Sequence, residues 1–73
     1  MELTAKYSAI GHNVIGVVVD DQNPKLEVIS AHEDSHIKVG DLIAFMADSA
    51  VELEPDVVAI QEDDVICRVE REF

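Results

Sequence analysis

Apolar residues in this chain come in short runs rich in valine and isoleucine, and acidic or turn-forming residues end each run within a few positions. Asn13 to Val19, Leu26 to Ile29, Leu42 to Phe45, Val51 to Glu54, Val57 to Ile60 and the stretch from Val65 all have this form. β-Branched side chains fit a pleated surface and crowd a helix. No sustained 3.6-residue apolar period exists, which argues against a helical bundle. The pattern predicts an all-β fold of about six short strands, a small barrel or sandwich.

The punctuation between the runs is equally specific. Asp20-Asp21-Gln22-Asn23-Pro24-Lys25 reads as a turn, because Asp and Asn side chains bond to nearby backbone and Pro24 restrains Asn23. Val39-Gly40-Asp41 is a tight turn in which Gly40 carries the positive φ. Gly16, inside the first run, predicts a bulge or sharp bend. A stray turn of helix fits Ala47 to Ala50, and Val51 and Leu53 are expected on one face of a short strand. Pro55 precedes the next strand and Glu62-Asp63-Asp64 forms an acidic turn. In the last strand Val65, Cys67 and Val69 alternate with Ile66, Arg68 and Glu70, so the first set is expected to face the core.

The 73 residues fit a single domain spanning 1–73, and so short a chain buries a thin core that commonly needs a disulfide, a metal or oligomerisation. Cys67 is the only cysteine, so no disulfide can form within the chain, and it is expected to be a small buried hydrophobe. Oligomerisation is the favoured remedy. The formal net charge of −11 speaks against nucleic acid and anionic membranes as partners, since phosphate binding relies on Lys and Arg. No apolar stretch is long enough to span a bilayer, and Met1 to Lys6 lacks the basic-then-apolar pattern of a signal peptide. The expected location is the cytoplasm, or a particle assembled there.

One motif points elsewhere. His32-Glu33-Asp34-Ser35-His36 spells H-E-x-x-H, which in zinc proteases places two His ligands one turn apart on a helix, with the Glu as general base. Here strand residues precede the motif and a strand-turn pattern follows it, so a hydrated loop is expected and no metal or cofactor is assigned. No Gly-rich phosphate cradle is present, and the acidic turn lacks the spaced ligands of a calcium loop. No catalytic residues are assigned and the chain is read as non-enzymatic.

The second half carries a resemblance. Ile37-Lys38-Val39-Gly40-Asp41-Leu42-Ile43-Ala44-Phe45 is followed by Asp56-Val57-Val58-Ala59-Ile60, an acidic turn, and Val65-Ile66-Cys67-Arg68-Val69-Glu70. This order of V-G-D turn, double-valine strand, acidic turn and closing strand resembles the C-terminal half of GroES-type co-chaperonins. Ile10-Gly11-His12-Asn13-Val14-Ile15 is similar to the first strand of that family. The resemblance implies a small, partly open GroES-like β-barrel in a seven-membered ring, where terminal strands of neighbouring subunits pair. Leu3, Ala5, Tyr7, Val65, Cys67 and Val69 would then carry the oligomer interface, with Tyr7 and Phe73 as apolar groups near the two termini. The family's long mobile loop, which docks on the chaperonin, is replaced here by the tight turn Asp20 to Lys25, and its roof region by the polar loop His32 to His36. Two functions follow as expectations. One is a divergent co-chaperonin subunit, of the kind that phages also encode, with a chaperonin as partner. The other is a decoration protein of a bacteriophage virion, with a capsid protein as partner.

Overall fold

The computed structural model describes residues 6–20 and 22–70. The chain folds as six strands: β1 (Asn13–Asp20), β2 (Lys25–Ala31), β3 (Leu42–Phe45), β4 (Val51–Glu54), β5 (Val57–Gln61) and β6 (Val65–Arg68). Single 3-10 turns at Ala47–Ser49 and Glu62–Asp64 link β3 to β4 and β5 to β6. All pairings are antiparallel, and the strands form one sheet in the order β4-β5-β1-β2-β3-β6. The all-β expectation and its strand positions hold. The sheet is not closed into a barrel, because β4 and β6 are its two edges and do not pair with each other.

The sheet is nonetheless curled. Ile43 and Phe45 from β3 join Val58 and Ile60 from β5 in one apolar cluster, although two strands lie between β3 and β5. Val14, Leu26 and Val28 complete its strand portion, and Ile37 enters from the loop before β3. A flat single sheet would leave this face open to water, yet Val14, Leu26, Ile43 and Ile60 are at most 2% exposed.

Register shifts produce the curl, since an extra residue on one strand bends it and increases its twist. Opposite Ile15 and Gly16 the pairing moves from Ser30 to Val28, which leaves Ile29 as the additional residue on β2. The irregularity expected at Gly16 is there, but the partner strand supplies the extra residue. Gly16 is required for another reason: a Cβ at this position would lie 2.5 Å from both the Glu27 carbonyl oxygen and Leu26 Cγ. Val19, Leu53 and Ile66 are the extra residues of three further shifts.

The turns match their residues. Gly40 has φ +94°. Pro55 and Asp56 connect β4 to β5, and Asp56 takes φ +67°, as the third position of a type II turn requires. The Asp56 carbonyl accepts a 2.7 Å bond from the Val18 N–H, which ties this hairpin to β1. Val51 and Leu53 do not share a buried face: both are exposed, and the shift at Leu53 breaks their alternation.

Ile15 and Val57 are buried yet lie outside the main cluster, on the opposite face of the sheet. The segment before β1 crosses that face. The Ala9 N–H donates to Ser30 Oγ on β2 at 2.8 Å, and the Tyr7 hydroxyl donates to Glu54 Oε2 on β4 at 2.7 Å. The strap thus spans β1 and β5.

Candidate functional site

All three histidines of the chain gather at one end of the sheet, where β1 begins and β2 ends. His12, His32 and His36 line a shallow depression with Asp34, Ser35 and Glu62. Backbone bonding brings His12 beside Glu62, whose N–H donates to the His12 carbonyl at 2.7 Å. The side chains follow, with His12 Nδ1 3.9 Å from Glu62 Oε2 and the His12 and His32 ring centroids 6.4 Å apart.

The H-E-x-x-H segment is a loop. β2 ends at Ala31, and residues 32–41 contain turns and bends without a helix. His32 and His36 therefore lack the helical spacing a zinc protease needs, and His32 approaches His12 instead. The His32 Nδ1 accepts the Asp34 N–H at 3.1 Å, a local bond that folds the loop back on itself. Among the described residues no three His, Cys, Asp or Glu side chains are grouped so as to hold a metal ion.

Ser35 anchors this loop. It is the one buried polar residue of the described core, at 6% exposure. Its hydroxyl donates to Glu62 Oε2 at 3.0 Å and accepts the Ile37 N–H at 3.0 Å. Both capacities are used, so burial costs it little. The next anchor is Arg68 of β6, whose Nη2 donates to the His36 carbonyl at 2.6 Å and whose Nε donates to Asp41 Oδ2 at 3.2 Å. Asp41 Oδ2 also accepts the Lys38 N–H at 2.9 Å, which closes the V-G-D turn. Neither anchor was identified from the sequence. The V-G-D aspartate was visible as a turn residue, but its partner is 27 positions away.

The residues expected at an oligomer interface are distributed unevenly. Leu3, Ala5 and Phe73 lie outside the described residues. Tyr7 is half-buried and bound to Glu54. That hydrogen bond, with a smaller effect from burial and the carboxylate's charge, pushes the Tyr7 phenol pKa up from 10.0. Val65 is half-buried and packs against the main cluster. Cys67 is exposed, contrary to the expected buried hydrophobe. The cause is the shift at Ile66. Val65 pairs with the inward Phe45, but after the inserted residue Cys67 pairs with Ala44 and Arg68 with the inward Ile43. Alternation is reversed, so Val65 and Cys67 do not share the core face. Val69 is half-buried and its N–H donates to the Leu42 carbonyl at 2.7 Å.

Among the described residues β6 is thus an edge strand that pairs only with β3, with Ile66 62% exposed and Cys67 beside it. No protein-family model and no curated protein matches the chain. Among the described residues no helix is long and apolar enough to cross a membrane.

Proposed function

We propose that this chain is a non-enzymatic subunit of a homo-oligomer, a divergent GroES-like co-chaperonin that assists protein folding or assembly. The observation that carries the reading is the outer edge of β6, which no strand among the described residues pairs, bearing exposed Ile66 and Cys67 at the end of a curled six-stranded sheet. An open edge with apolar side chains is a template for another strand. Pairing with a neighbouring copy would cover it and supply the burial that so short a chain lacks. The reading also draws on the sequence resemblance carried by the V-G-D turn, the double-valine run and the closing run.

One observation favours a second reading, a decoration subunit of a bacteriophage virion. The β1–β2 connection is a pinned turn, with Asp20 Oδ1 accepting the Gln22 and Asn23 N–H groups at 3.0 and 3.2 Å. A co-chaperonin that reaches its chaperonin through this connection would need a longer one.

Native mass spectrometry tests the first reading. A discrete seven-membered ring that a chaperonin captures in the presence of nucleotide would support it. A monomer, dimer or trimer with no capture would overturn it and favour the decoration role.

A further inference from the structure

At the end of the sheet opposite the histidines, the curl leaves an opening of about 250 Å³ lined by Val18, Pro24, Phe45, Ala50, Val58 and, at its rim, Glu52. Asp20 and Ala47 complete the lining. It is smaller than the roughly 300–1,000 Å³ of small-molecule sites and suits a single apolar side chain. Beside it runs β4, which among the described residues pairs only with β5 along one backbone edge. The shift at Leu53 interrupts that edge, so the straight portion is Val51 and Glu52.

We propose that this opening and the adjoining β4 edge dock an extended segment of a partner protein that carries an apolar side chain next to a lysine or arginine. Charge selects the occupant. Both ionisable groups at the opening are acids, Asp20 and Glu52. Asp20 already holds two turn amides and stands 4.0 Å from Lys25 Nζ, whereas Glu52 has no ion pair among the described residues. An arriving apolar group would meet Val18, Ala50 and Val58, and its basic neighbour would meet Glu52. The Val51–Glu52 edge, which no described strand pairs on its outer side, would accept the segment's backbone, the usual mode of strand addition. This inference does not rest on the homo-oligomer reading, because it uses the other edge of the sheet.

The test uses the full chain and three fluorescein-labelled hexapeptides at about 0.15 M salt, where distant charges are screened. The first probe alternates lysine with leucine, the second replaces lysine with glutamate, and the third replaces leucine with serine. Anisotropy should show saturable binding of the first probe alone, with amide shifts centred on Val18, Ala47 and Glu52. Glu52→Lys should weaken binding about tenfold, a change of about 1.4 kcal/mol. Glu33→Lys, an equal charge change in the loop at the other end of the sheet, should leave affinity within about twofold by the same scale. Equal loss in both variants, equal binding of the serine probe, or no saturable binding would overturn the proposal.

Discussion

Arg68 Nε lies 3.2 Å from Asp41 Oδ2, which fastens the last strand to the turn that begins β3. The same guanidinium holds the His36 carbonyl, so one side chain secures both ends of the segment from His36 to Asp41. Arg68 is half exposed, and an exposed ion pair contributes little in water. Arg68→Gln is therefore expected to lower stability by only about 0.5–1 kcal/mol in urea denaturation. Its main effect should be local, as faster hydrogen exchange at Lys38 and Asp41. Unchanged exchange there would show that the turn holds itself.

Gly16 should tolerate no side chain. A Cβ there meets backbone oxygen as well as the Leu26 side chain, so a rotamer change cannot relieve the clash. Gly16→Ala is expected to cost about 2–3 kcal/mol through a forced backbone shift. Gly40→Ala meets open space, and its cost of about 1–2 kcal/mol would come from the positive φ alone. Thermal melts of both variants should place Gly16→Ala lower. The reverse order would refute the packing of β1 on β2.

Asp20 links the first turn to pH. Hydrogen bonds from the Asn23 and Gln22 amides, aided by Lys25, hold its pKa below 3.8. A carboxyl whose folded pKa is depressed adds stability that is complete above the unfolded value and is lost as pH falls through the folded value. Stability should therefore decline below about pH 4 in part through this group, and Asp20→Ala should flatten that portion of the profile. Urea midpoints measured at steps between about pH 5 and pH 2 would show it. Parallel profiles for the two proteins would rule out Asp20 as a contributor.

Cys67 offers a direct probe of β6. In the isolated folded subunit it is exposed, so a thiol reagent should modify it at close to the rate of a free cysteine. If β6 is the contact between copies, the assembled protein should react at least about tenfold more slowly, since access controls the rate. Rapid labelling of a stable oligomer would place the contact elsewhere. Val65→Asp, by contrast, puts a charge against the main cluster and should unfold the subunit, with a loss of about 3 kcal/mol or more.

Strand positions were legible in the sequence because each apolar run is short and bounded by residues with a local reason to turn. Gly40 shows this best, since its neighbours and its positive φ are both local. The facing of side chains was less legible. Alternation along Val65 to Val69 assumed an uninterrupted strand, and one inserted residue at Ile66 turned Cys67 outward and aligned Arg68 with Ile43. Such an insertion depends on the partner strand, so nothing within β6 announces it. The histidine cluster was hidden for a similar reason. The H-E-x-x-H spacing concerns His32 and His36 alone, while the fold brings His12, just before β1, beside His32 at the end of β2. Ser35 and Glu62 are 27 positions apart and meet only because β2 and β5 flank the same strand.

The pairing of β1 with β5 sets the pace at which the molecule can assemble. Asn13 and Gln61 are about fifty positions apart, and β1 gains its second neighbour only after the whole intervening chain has been gathered in. Loop closure must precede the contacts that reward it, so this topology should fold over milliseconds to seconds, well behind a helical protein of equal length. During that interval β1, whose Val14 ends fully buried, is a bare hydrophobic strand in a crowded cell. A heavily acidic chain has an evident advantage there, because mutual repulsion keeps its unfinished copies apart.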